Sequence, residues 1–151
     1  MLIAIGCDEA AITMKENIKE YIIKIGHEVQ DFGTHEQVAV LYPDIAIKVA
    51  QAVIEKTCER GILFCGTGIG MAITANKVPG IRAAVCHDSY SAERARKSND
   101  AQIMTMGSRV IGLELAKSLL QLWLNSEFQG GGSKKKIDKI TEYERLYLKE
   151  T

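Results

Sequence analysis

"ILFCGTGIGMAIT", residues Ile62 to Thr74, runs from an apolar stretch straight into a turn that holds Gly66, Gly68 and Gly70. "GILFC" is apolar throughout, the pattern of a strand covered on both faces, as in a parallel sheet. The glycines permit positive φ and close backbone approach. "GIGMAITANK" then turns into a short helix that Pro79 and Gly80 stop. Strand, glycine turn and helix in that order make one βα unit of an α/β fold. Cys65 stands at the junction.

The same alternation extends in both directions. Upstream, "LIAIG" is a short buried strand, and Met14, Ile18, Tyr21, Ile22 and Ile25 recur at helical spacing before Gly26 ends that helix. "HEVQDFG" is a second strand with Val29 inward, and after a polar loop Pro43 takes a first helical position ahead of Ala46, Val49, Ala50 and Val53. Downstream, "IRAAVC" is a fourth strand, Ser89 to Ser98 a fourth helix and "AQIMTMG" a fifth strand. Leu115, Leu119, Leu122 and Trp123 mark a long fifth helix. Such alternation predicts a doubly wound, Rossmann-like α/β fold: a five-stranded parallel sheet with helices on both faces. Ligands of such sheets bind beyond the carboxyl ends of the strands. Cys7-Asp8, Cys65-Gly66, Cys86-His87-Asp88 and Gly107-Ser108-Arg109 all fall at that edge. Residues 1–151 read as one domain, with 129–151 a glycine hinge and an amphipathic helix bearing Ile137, Ile140, Tyr147 and Leu148 on one stripe. That stripe packs either on a second subunit or back on its own domain.

Bulk composition narrows the classes. Hydrophobic residues at 46% and charged residues at 25% describe a globular chain rather than a disordered one. Lys plus Arg equals Asp plus Glu at 19 each, so the basic excess of a non-specific nucleic-acid binder is absent. The apolar runs are too short to span a bilayer. "MLIAIGCDEA" lacks a basic n-region and a long h-region, so a cytoplasmic setting without a signal peptide is expected. Cys7, Cys58, Cys65 and Cys86 form no CxxC pair, which fits reduced, buried thiols. Cys7, Cys65 and Cys86 each end a strand-like run and would make a zinc site only by converging, at spacings that match no familiar zinc pattern.

The glycine loop invites two nucleotide readings. Asp88 lies at the distance a dinucleotide fingerprint requires, but Met71 stands where the third glycine of GxGxxG belongs, the helix is short, and the loop follows the third strand rather than the first. No "GK[ST]" follows for a P-loop. An acid–base reading is stronger. Backbone amides at a helix N-terminus favour negative charge, and amides that stabilise an oxyanion also stabilise a thiolate. Cys65 is either a base or nucleophile near neutral pH or a structural buried thiol. Thr67 is in reach of either the thiolate or a ligand. Lys134, Lys135 and Lys136 follow Ser133, a good cap, with Lys136 where a capping-box Glu would serve. Cations in a first turn oppose the macrodipole, so this segment is either an anion site or a solvated basic turn. Asn99 in "KSND" is a natural cap residue that alone says nothing.

Taken together, "GCD", "VQDFGT", Tyr42-Pro43, "CGTGIG", "ANKVPGIRAAVCHD", "ND" and "GSRVIGLELA" stand in the order of the type B ribose-5-phosphate isomerase family, which includes the subunits of galactose-6-phosphate isomerase. The chain resembles that family over nearly its whole length. The resemblance implies an aldose–ketose isomerisation of a sugar phosphate through a cis-enediolate, ribose 5-phosphate by default, without metal or nucleotide cofactor. It implies a homodimer or dimer of dimers with sites at the subunit interface and the C-terminal helix reaching across. Cys65 then matches the base. The amides of Gly66, Gly68, Ile69 and Gly70 form the anion hole. Thr67, Asn99, Asp8 and Tyr42 match polar substrate contacts, Asn99 from the other subunit, and Arg109 and Lys136 match cations near the phosphate. The chain departs from the family where Glu9 and Ser98 replace histidines and where Gly132 and Ser133 replace an Arg-His pair. Glu9 and Ser98 still count as substrate-facing positions; what replaces the ring-opening imidazole is left open, with Glu9, if desolvation raises its pKa, and His87 as the two groups within reach. Slow turnover of ring-closed sugars is expected. Three other readings stand beside this one: a weakly active or non-catalytic sugar-phosphate-binding paralogous subunit, an isomerase of a hexose phosphate, and a dinucleotide-dependent oxidoreductase.

Overall fold

A computed structural model of the chain describes residues 1–148. In chain order the elements are β1 (Leu2–Cys7), a 3-10 turn (Glu9–Ala11), α1 (Ile12–Lys24), β2 (Glu28–Asp31), α2 (Tyr42–Ile54), β3 (Arg60–Cys65), α3 (Ile69–Ala75), β4 (Ala83–Val85), α4 (Ser89–Lys97), β5 (Ile103–Gly107), α5 (Leu113–Leu124) and α6 (Gly132–Tyr147). The sheet order is β2-β1-β3-β5-β4, with every pairing parallel. The chain winds outward from β1 to β2, then returns to place β3 on the other side of β1. The switch point therefore lies between β1 and β3, and a crevice opens beyond their carboxyl ends.

Period-two alternation splits the core into two layers. Ile3, Ile5, Ile62, Phe64, Met104 and Met106 point to the face covered by α1, α4 and α5, where Ile18, Ile22, Leu119 and Trp123 are buried. Ala4, Leu63, Cys65 and Ile103 point to the opposite face, under α2 and α3 with Ile45, Val49, Val53 and Met71. The expected doubly wound architecture is thus the observed one. The same alternation removes the zinc reading. Cys7 and Cys86 lie in the first layer and Cys65 in the second, so the three thiols do not converge. Burial pushes the Cys7 and Cys86 thiols up to about 12.

Local differences from the sequence reading have local causes. Pro43 is the second residue of α2, because Tyr42 already has helical geometry. Leu115 is exposed, so the buried stripe of α5 is Ala116, Leu119, Leu120 and Trp123. Ser133 lies inside α6, and the cap position falls to Gly131 at φ 60. Only Ile137 of α6 is buried; Ile140, Tyr143, Leu146 and Tyr147 are exposed, and Leu148 is past the helix end. Glu144 accepts the Gly80 amide at 3.0 Å, which ties α6 to the start of β4.

A lysine is sealed in the core. Lys15 on α1 has no exposed surface, and its Nζ donates to both Asp31 carboxylate oxygens at 3.0 Å and to the Thr34 carbonyl at 2.9 Å. Glu16 lies at 3.1 Å. This cluster pins the end of β2 and the turn after it beside Cys7, whose amide donates to the Gly33 carbonyl.

Candidate active site

β3 delivers Cys65 to the carboxyl edge with its Sγ on the α2–α3 face, where it is 5% exposed. The Gly68 amide donates to Sγ at 3.0 Å. Gly68 has φ 78, and a Cβ there would lie 2.9 Å from the carbonyl carbon of Met106, so only glycine closes this turn over β5. Gly107 is required for the same approach from the other side, since its Cβ would meet the Thr67 backbone at 2.7 Å. At Gly70 a Cβ would run into the Tyr42 ring, which places the tyrosine hydroxyl directly on the loop.

The loop amides divide into two groups. Gly68 serves the Cys65 sulfur, and the Ile69 amide donates to Thr67 Oγ1 at 3.2 Å. Among the described residues the amides of Gly66, Thr67 and Gly70 take no partner. Of the amides from Gly66 to Gly70 that were expected to form an anion hole, those of Gly68 and Ile69 are therefore already engaged within the loop. The Thr67 hydroxyl keeps its own proton for a ligand.

β1 brings Asp8 alongside. Its amide donates to the Phe64 carbonyl at 3.3 Å, and its carboxylate caps the 3-10 turn by accepting from the Ala10 amide at 3.0 Å. Burial pushes the Asp8 carboxyl above its ordinary value. Glu9 faces the loop before α2, accepting the Val40 amide at 3.2 Å. Arg109 joins from the far side: its amide donates to the Gly66 carbonyl at 3.0 Å, and its guanidinium lies against Gly66. Cys65, Thr67, Asp8, Tyr42 and Arg109 are thus gathered by four strand and helix ends that only the parallel sheet makes neighbours.

Other expected residues lie elsewhere. His87 accepts the Gly107 amide at Nε2, 2.8 Å, so the ring props the end of β5. Its proton then sits on Nδ1 when neutral, and burial holds its pKa below the ordinary value. Asp88 caps α4 through Ser91, at 2.7 Å to both amide and hydroxyl, a role that accounts for it without a nucleotide. Ser98 caps the carboxyl end of α4, and Asn99 follows. The Arg82 guanidinium bonds the Asn99 and Asp100 carbonyls at the amino end of β4. Register from Gly61↔Ile103 to Cys65↔Gly107 separates that edge from Cys65 by four residues of strand, or ~13 Å. Lys136 starts α6 from the same amino edge, reached through Gln129, whose amide donates to the Lys97 carbonyl. Within one chain the sheet therefore keeps Ser98, Asn99 and Lys136 apart from Cys65. Arg94 did not stand out in the sequence, because with Arg96 and Lys97 it is one of three basic residues in the last turn of α4, where cations complement the helix dipole.

Residues 3–140 match the model of the Ribose/Galactose Isomerase family. The chain belongs to that family. It is 58% identical over 145 residues to the Listeria innocua ribose-5-P isomerase B, covering 96% of this chain and 98% of the relative. It is 54% identical to the Pectobacterium atrosepticum D-erythrulose-4-phosphate isomerase, covering 94% of each. The solved ribose-5-phosphate isomerase B of Clostridium thermocellum superposes with a TM-score of 0.96 at 50% identity, over 97% of this chain and 99% of that one. This Ribose/Galactose Isomerase member is a sugar-phosphate isomerase. Among the described residues no helix is long and apolar enough to cross a membrane.

Proposed function

We propose that the chain interconverts an aldose phosphate and a ketose phosphate through a cis-enediolate, with Cys65 as the base. The Cys65 thiolate takes the proton from C2 of the aldose and the electron pair moves onto the carbonyl oxygen at C1; the proton of the C2 hydroxyl passes to that oxygen, and as the C2 carbonyl forms the thiol returns its proton to C1. The observation that carries this reading is the Gly68 N–H on the Cys65 sulfur beside the unpartnered amides of Gly66, Thr67 and Gly70. Preorganised donors of that kind are worth ~3–4 kcal/mol each when aimed at the developing oxyanion. Asp8, Tyr42 and the Thr67 hydroxyl bind sugar oxygens, and Arg109 draws the anionic end. Ser98, Asn99 and Lys136 complete the site from a second copy in a homodimer, whose contact is the exposed stripe of α6.

Ribose 5-phosphate is the substrate that the family resemblance alone points to. A second reading has its own support: Ser98 offers a hydroxyl where proton transfer to a ring oxygen would need a titrating group. D-Erythrulose 4-phosphate and its aldose carry the phosphate on O4, so no five-membered ring can close and none needs opening. The relative named for that substrate is 54% identical. Cys65→Ala is expected to lower kcat at least ~100-fold on whichever substrate turns over, with Cys7→Ala and Cys86→Ala close to the parent. Near-normal turnover of Cys65→Ala ends the assignment. Tight sugar-phosphate binding without turnover in the parent chain would instead mark a non-catalytic subunit.

A further inference from the structure

A cavity of about 580 Å³ runs along the free edge of β4, away from Cys65, with Arg82, Tyr90, Ser91, Arg94, Asn99 and Glu144 in its wall. Its size suits a small ligand. The basic residues of this edge are mostly spent. Arg82 bonds two carbonyls and the Asp100 carboxylate, Arg96 bonds Asp100 and the Ala101 carbonyl, Lys97 pairs with Glu93, and Lys134 with Asp138. Glu144 is committed to the Gly80 amide. Arg94 differs. Its Nε donates to Ser98 Oγ at 2.7 Å, and among the described residues neither terminal nitrogen takes a hydrogen-bond or carboxylate partner. A small hydroxyl at position 98 thus fixes the plane of a guanidinium and leaves its fork open beside Asn99.

We propose that Arg94, aimed by Ser98, is a specificity-determining phosphate ligand: its two terminal nitrogens receive the phosphate of an open-chain sugar phosphate. This rests on the reading that the Asn99 edge of one copy completes the Cys65 site of another. A planar fork matches two phosphate oxygens at once, which a lysine point charge does not. Gly132 offers no side chain at the start of α6, so Arg94 supplies the bidentate cation that the α6 lysines cannot. Ser98 has a positive function here, as the acceptor that orients Arg94.

The test is binding of inorganic phosphate to the full chain by calorimetry, beside KM and kcat for D-erythrulose 4-phosphate. Arg94→Gln is expected to weaken phosphate binding at least ~10-fold and to raise KM more than it lowers kcat. Arg94→Lys is expected to recover only part of the loss, and Ser98→Ala to lose ~3-fold because the charge stays while its aim is lost. Melting temperatures of the variants should stay at the parent value, since Arg94 is only partly buried. Phosphate binding by Arg94→Gln equal to the parent, or a parent that binds no phosphate, overturns the proposal. Arg94-dependent phosphate binding in a chain with no isomerase turnover would sink the isomerase reading and keep the Arg94 site.

Discussion

At Gly68 one residue type decides whether the turn after β3 can exist. Its φ of 78 and the 2.9 Å approach to the Met106 backbone leave no room for a side chain. Gly68→Ala should therefore cost about 2 kcal/mol or more in urea unfolding and misplace the amide on the Cys65 sulfur. Gly112 is the control, at φ −85 with open space around it; Gly112→Ala should change stability by less than ~0.5 kcal/mol in either direction. Lys15 carries the second residue-scale prediction. Burial alone would lower its pKa, but hydrogen bonds to Asp31 and Glu16 outweigh burial and raise it. Burial would raise Asp31, but the Gly33 amide, Lys15 and Lys19 together lower it. The depressed carboxylate stabilises above its unfolded pKa of ~3.9 and loses that contribution as pH falls through the lower folded value. The raised ammonium stabilises below ~10.4 and loses its contribution as pH rises through the higher folded value. Lys15→Met should cost about 3 kcal/mol near neutral pH and flatten the acid limb of the stability profile. An unchanged acid limb would show that Lys19 and the Gly33 amide suffice for Asp31.

Among the elements, α6 is the one that does not finish its own packing. Ile137 is its only buried residue, while Leu146 is 68% and Tyr147 75% exposed. An apolar stripe left in water this way fits a subunit contact. Leu146→Asp should leave the melting temperature of the isolated fold nearly unchanged, because that side chain is mostly exposed. It should convert a sedimenting dimer to monomer and abolish turnover. A monomeric parent chain with full activity would show that Ser98, Asn99 and Lys136 belong to no shared site.

Across the whole molecule the question is which sugar the two edges of the sheet are built to hold. The carboxyl edge carries the Cys65 thiol and the glycine loop; the amino edge carries Ser98, Asn99 and Arg94, whose terminal nitrogens take no partner among the described residues. Without an imidazole at position 98, a ring-closed sugar lacks a titrating partner there, and His87 is occupied by the Gly107 amide. Turnover of D-erythrulose 4-phosphate should exceed that of ribose 5-phosphate. Ser98→His should raise kcat for ribose 5-phosphate and bring little to the tetrulose phosphate, which has no ring. Equal effects on both, or parent turnover of ribose 5-phosphate at ~10 s⁻¹ or more, would mean that another group opens the ring.

The sequence alone determined the βα alternation, the five strands and the glycine loop with Cys65 at its start. These follow from hydrophobic periodicity and from backbone needs that only glycine meets, both local properties. The family motifs, read in order, also named Cys65, Thr67, Asp8, Tyr42 and Arg109, whose neighbourhood the parallel register then made physical. Tertiary structure decided what depends on direction and partner. Alternation across the sheet put Cys7 and Cys86 behind the site and Cys65 in it. The internal bonds of Gly68 and Ile69 decided which loop amides stay free. Strand length placed Ser98, Asn99 and Lys136 at the far edge, and the bond from Arg94 to Ser98 gave a replaced residue a function. None of these could be read from spacing, because each is set by contacts between segments distant in the chain.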